Sequence, residues 1–191
     1  RYSKPAGKPE PIIAYNCPPY ETNGPLPESR IVSDEELDTL PELYARSAKL
    51  AEQAGFDGGD IKACHRYLIC ELLSAYNRPG RYGGSFENRT RLLLDAVDAV
   101  QAAVSPHTIV TSRLNIYDGA AYPYGFGMKP DGSLTPDLTE ALRLVETLHK
   151  KRGMSLLDLT IGNPYVNPHV NRPFDQGPYE PPENPLVGVA R

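Results

Sequence analysis

The sequence predicts an α/β fold: βα units laid on a parallel sheet. Three observations predict it. Between residues 33 and 161 amphipathic helical stretches alternate with short β-rich runs. Glycines close two of the helical stretches, at Gly55 and Gly153. The 20 prolines cluster at the two ends and leave that middle conventional.

The first element is a helix in "SDEELDTLPELYARSAKLAEQAG". Ser33 is its N-cap, Glu36 follows three residues on, and acids fill the first turn. Leu37, Leu40, Tyr44, Ala48 and Ala51 form its apolar stripe. Pro41 marks a kink, or else the first turn of the longer helix. "FDGGDIK" reads as a short strand, "HRYLICELLSAY" as a short helix and "NRPGRYGGSFENR" as a glycine-rich loop. A helix follows in "RTRLLLDAVDAVQAAVS", with Leu92, Leu93, Val97 and Val100 facing the core. "TIVTSRLNI" is the second strand and "DGAAYPYGFGMKPDGS" a long loop. "DLTEALRLVETLHKKRG" is the last helix, its stripe read as Leu138, Leu142, Val145 and Leu148, and "SLLDLTIGN" is the third strand. The expected strands are parallel and adjacent, near residues 56–61, 108–115 and 155–161.

The organisation is a single segment, 1–191, with a Pro-rich loop at 1–32, βα units over 33–161 and a second Pro-rich loop at 162–191. Tyr15, Tyr20, Tyr165, Phe174 and Tyr179 need surface to pack on, so both ends read as ordered loops. A net charge of −4 without a basic stripe argues against nucleic acid. Apolar runs are too short for a bilayer span, and no signal-peptide pattern appears. Three scattered cysteines argue against a disulfide framework and fit a reducing cytoplasm.

Chemistry in such folds sits at the carboxyl ends of strands. Lys62 falls at the end of the first strand, Arg113 in the middle of the second and Asn163 at the end of the third. Lys62 and His65 are three apart, with Tyr67 two beyond. On a turn the first two converge on one spot, where two donors can hold a carbonyl or an anion. A phenol beside them can deliver a proton.

These residues resemble the Old Yellow Enzyme family, in its NADH:flavin oxidoreductase and 2,4-dienoyl-CoA reductase-like branch. "EQAGFDGGDIKACHRYL" is similar to that family's stretch ending the fourth barrel strand. "RYGGSFENRTRLLLDAVDAV" resembles its Y-G-G-S-x-E-N-R signature, "VTSRLN" its fifth strand and "LDLTIGNPY" its sixth. The resemblance implies the fourth to sixth βα units of a (β/α)8 barrel, with Arg1 just past the third strand and Arg191 before the seventh. It implies bound FMN, NADH or NADPH as reductant and reduction of an activated C=C bond in a small enone or enoyl thioester. By motif position Tyr67 is the expected proton donor, His65 the second substrate anchor and Arg113 the flavin contact near N1 and O2. Lys62 stands where the family usually has its first anchoring histidine, and Arg66 replaces a glycine, adding bulk and charge beside the site. Both suggest an unusual, anionic substrate. Exposed sheet edges imply a homo-oligomer, and an isolated segment is expected to be inactive and to hold FMN weakly.

Plainer readings stand beside these. Lys62 is also a surface lysine at a strand end, or the amine of a Schiff-base lyase. His65 alone is more often structural. Cys64, His65 and Cys70 lack the paired spacing of a zinc site, so no metal is expected and both cysteines read as small buried residues. Gly83 and Gly84 read as a turn. Glu87, Asn88 and Arg89 read as scaffold, an acid at a helix start and an arginine bridging loops. Arg113 in an apolar strand is expected to be buried, and so paired by an acid or a ligand. His169 and Arg172 are either substrate contacts or part of a proline-fixed loop. A non-catalytic folded segment is the remaining alternative.

Overall fold

The computed structural model describes residues 7, 10–21 and 23–163. Tyr165, His169, Arg172, Phe174 and Tyr179, with Arg1 and Arg191, lie outside the described residues. Three strands, β1 (Gly58–Ala63), β2 (Ile109–Tyr117) and β3 (Leu157–Ile161), form one parallel sheet in the order β1-β2-β3. Each lies within two residues of its sequence-based position. The helices are α1 (Asp34–Gln53), α2 (Leu68–Leu73), α3 (Phe86–Ala103) and α4 (Thr139–Glu146). The arrangement is that of consecutive βα units of a (β/α)8 barrel, with helices on one face of the sheet.

Helix α1 starts at the expected capping box. Ser33 Oγ accepts from the Glu36 amide at 3.1 Å, and Glu36 Oε2 accepts from the Ser33 amide at 2.9 Å. The helix runs through Pro41 and stops at Gly55, whose φ of 88° suits glycine. Helix α3 begins earlier than its apolar stripe suggests, because Ser85 caps it by accepting from the Asn88 amide at 3.2 Å. Helix α2 begins at Leu68 rather than at His65, because His65 and Arg66 are left-handed, with φ of 59° and 54°.

One core lies between the sheet and the helices. Leu92, Leu93, Val97 and Val100 of α3 meet Ile61 and Ala63 of β1 and Leu114 of β2 there. In α4 the expected stripe is rotated: Leu142 is 63% exposed, while Ala141, Leu144 and Leu148 are buried. The helix passes into a π turn over Thr147–Lys151, and Leu138 and Val145 pack only in part. The described part of the N-terminal stretch is loop with two 3₁₀ turns, held by a parallel bridge between Ile13 and Ile31. Tyr15 is buried and Tyr20 packs against the core. Among the described residues no helix is long and apolar enough to cross a membrane.

Candidate active site

The other face of the sheet has no helix on it among the described residues. Burial alternates along β1: Ile61 and Ala63 are buried against the helices, whereas Asp60 and Lys62 are exposed. In β2 Ser112 and Leu114 are buried and Arg113 is exposed. Lys62 is in register with Arg113, and Arg113 with Asp158 of β3. The three residues therefore form one charged row across the open face.

Arg113 is not the buried guanidinium its apolar strand suggested. Its side chain is 46% exposed, and its Nε meets Asp158 Oδ2 at 2.9 Å. An apolar strand of a half-covered sheet places every second residue away from the helices, and Arg113 occupies such a position. An acid of the neighbouring strand partners it, as charge pairing required.

The turn after β1 aims the remaining candidates. Cys64 is buried, His65 and Arg66 are left-handed, and Tyr67 caps α2 in extended conformation. The Tyr67 amide donates back to the Cys64 carbonyl at 3.3 Å. Left-handed backbone costs roughly 1–2 kcal/mol for each residue with a Cβ. That cost is spent on a sharp reversal that brings the chain back over the strand end. Lys62 Nζ lies 3.7 Å from the centroid of the Tyr67 ring, and the phenol is half-exposed.

Desolvation is the first cause holding the His65 imidazole below its ordinary value. The charges of Arg113 and Lys62 add to it, against the opposite pull of Asp158. At neutral pH this favours a neutral imidazole, which offers one N–H donor. The structure thus brings Lys62 and Tyr67 together, with His65 in the turn between them and Arg113 one strand away.

Arg66 departs from its expected place. It does not add charge beside the open site, because its side chain turns into the protein and is 4% exposed. Its Nη1 donates to Ser74 Oγ at 2.6 Å and meets Asp118 Oδ2 at 3.5 Å. The guanidinium lies 4.5 Å from the Tyr20 ring centroid and 5.9 Å from that of Tyr15. Asp118 follows directly on β2 and accepts from the Asn115 amide group at 2.6 Å and the Phe126 amide at 2.9 Å. Asn115 in turn accepts from Thr160 of β3 at 3.0 Å. This buried chain was missed in the sequence. The one available signal was an acid directly after an apolar strand, in "NIYDGA".

Glu87 and Arg89 sit in the scaffold. Arg89 donates to the Leu73 carbonyl at 2.5 Å, the Gly84 carbonyl at 2.9 Å and Glu140 at 2.6 Å, and stacks 3.8 Å from the Tyr76 ring centroid. Glu87 pairs with Arg143 at 2.5 Å, and Asn88 donates to the Gly83 carbonyl at 3.0 Å. Gly83 and Gly84 form the expected turn, with a left-handed Gly84. Cys64 and Cys70 are buried thiols, and Asn163 is buried after β3.

Comparison with known proteins gives a concordant result. Residues 6–126 match the NADH:flavin oxidoreductase / NADH oxidase family. NADH:flavin oxidoreductase FG08077 of Gibberella zeae is 32% identical over 158 residues, covering 82% of this chain and 37% of that protein. A probable flavin mononucleotide-dependent alkene reductase of Leishmania infantum is 40% identical over 82 residues, covering 42% of this chain and 22% of its own length. The crystal structure of an Old Yellow Enzyme from Pichia sp. AKU4542 superposes with a TM-score of 0.52 at 29% identity, over 68% of this chain and 33% of that one. The chain therefore spans well under half the length of these proteins.

Proposed function

This chain belongs to the NADH:flavin oxidoreductase / NADH oxidase family, and we propose that it forms one wall of an FMN-dependent NAD(P)H oxidoreductase site that reduces activated C=C bonds. The observation that carries the reading is Lys62 set against the Tyr67 ring at the carboxyl end of β1, with His65 in the turn between them and Arg113 in register beside Lys62. The names of similar proteins support the same class.

The residues fit the cofactor. The open face holds two cations, a histidine and a half-exposed phenol where a barrel places its ligand. Arg113 would hold FMN, its guanidinium opposing the negative charge of a reduced ring. When bound, FMN would supply the two-electron redox chemistry that links NADH or NADPH to the activated C=C bond. Lys62 and His65 hold and polarise the activating carbonyl through their N–H groups. Tyr67 delivers its phenolic proton to the α-carbon, completing reduction of the double bond. Lys62 over the Tyr67 ring fixes both side chains at the same spot and adds positive charge where enolate character develops.

The substrate class is a small enone or enoyl thioester. A homo-oligomer covering the edges of β1 and β3, and a reducing cytoplasmic setting, complete the proposal. The test uses the complete natural protein. It should purify with FMN, be bleached by NADH or NADPH, and recover its colour anaerobically on addition of an enone. Bleaching without recovery by any enone or enoyl thioester would remove alkene reduction from the reading.

A further inference from the structure

Arg66 occupies a backbone position that favours glycine. Its φ is 54°, and that of the preceding His65 is 59°. The side chain is also buried, at 4% exposure, and its Nε and Nη2 have no hydrogen-bond partner among the described residues. Neither fact favours arginine for stability: a left-handed backbone and a charge with unmatched donors both cost free energy. What arginine provides is reach. From the turn after β1 its side chain meets Ser74 just after α2, Asp118 just after β2 and the Tyr20 ring of the N-terminal stretch. Asp118 is itself fixed by Asn115 of β2 and by the Phe126 amide, and Asn115 is fixed by Thr160 of β3. A polar chain, buried as far as Asn115, therefore runs from the left-handed turn to Thr160 of the third strand.

We propose that Arg66 is the positioning residue for His65 and Tyr67, clamping the left-handed turn that presents both to the open face. It touches neither substrate nor cofactor; it acts through the two residues that flank it. A glycine at this position would permit the same φ but would not hold it, whereas arginine tethers the turn to three separate elements. For its catalytic consequence the inference rests on the ene-reductase reading above. For its structural consequence it does not.

The test compares Arg66→Asn, Arg66→Gly and Arg66→Lys in the complete natural protein. Asparagine tolerates the left-handed conformation yet cannot span to Asp118. Amide hydrogen exchange at residues 64–68 is expected to quicken about tenfold or more in Arg66→Asn, with the melting temperature held within a few degrees. In stopped flow, alkene reduction should slow about 10–100-fold, because small misplacement of reacting groups is costly, while flavin reduction by NAD(P)H changes little. Arg66→Lys should recover part of the loss, and Asp118→Asn should reproduce Arg66→Asn. Unchanged exchange in Arg66→Asn and Arg66→Gly would overturn the clamp. Equal slowing of both half-reactions together with a large fall in melting temperature would reduce Arg66 to a structural role. Faster exchange in a protein whose unsubstituted form reduces no alkene would uphold the clamp and sink the ene-reductase reading instead.

Discussion

Ile61 and Lys62 are neighbours in β1 and belong to different worlds. Ile61 is 3% exposed and meets the helices, with Ser112 and Leu114 beside it at 0%. Lys62 lies on the open face, in register with an Arg113 that is half-exposed and ion-paired across to Asp158. The same contrast separates two arginines. Arg89 is 2% exposed and uses its guanidinium on two carbonyls, a carboxylate and an aromatic ring. Arg113 keeps nearly half of its side-chain surface exposed. The helix face spends polar groups on holding the fold, whereas the open face leaves Lys62 and Arg113 exposed. Charge alone does not mark a site in this protein; the face of the sheet does.

That comparison breaks if the two faces respond alike to substitution. Arg89→Ala should cost about 3–5 kcal/mol, because it strips a buried charge partner and leaves two carbonyls unmet. Leu114→Ala should cost about 2–5 kcal/mol by opening a cavity in the core. Both are read from chemical denaturation midpoints. On the open face, Arg113→Ala should change stability by less than about 1 kcal/mol, since a half-exposed ion pair contributes little. A loss as large as that of Leu114→Ala would mean that Arg113 belongs to the scaffold.

A smaller effect sharpens the electrostatic side of the contrast. His65 should titrate below about 6.5, the ordinary histidine value, as followed by NMR of its imidazole. Desolvation holds it down, with Arg113 and then Lys62 adding to the shift. Arg113→Ala should raise the value, because one opposing positive charge is gone. Its folded-state value lies below the unfolded one. His65 therefore costs no stability above the unfolded pKa, and its penalty grows as pH falls through the window between the two. A titration unmoved by Arg113→Ala would place the guanidinium out of reach of the imidazole.

Much of the fold was legible in the sequence because it was written locally. The capping box at Ser33 and Glu36, the stop at Gly55 and the stripe of α3 all act over a few residues. The contact of Lys62 with Tyr67 was legible as a spacing, because a strand end and one turn suffice to bring the two together. What the sequence concealed was direction. Nothing local says that His65 and Arg66 turn left-handed, so the sequence alone starts α2 too early and sets the Arg66 charge beside the site. The partner that draws Arg66 inward, Asp118, is 52 residues away along the chain. Arg113 was misread for the same reason. An apolar strand reads as buried on both faces, and only the missing cover over one face exposes every second residue. Leu142 shows the limit of periodicity, since the buried stripe of this helix runs through Ala141, Leu144 and Leu148 instead.

The central claim is that the open face does chemistry and that Tyr67 is its acid. Tyr67→Phe in the complete natural protein tests it most directly, with the two half-reactions followed separately by stopped flow. Flavin reduction by NAD(P)H should stay near the unsubstituted rate, and alkene reduction should slow by about 10²–10⁴-fold, the usual loss for a general acid. Equal slowing of both steps, or no slowing of the second, would contradict the account and leave Tyr67 as a cap on α2.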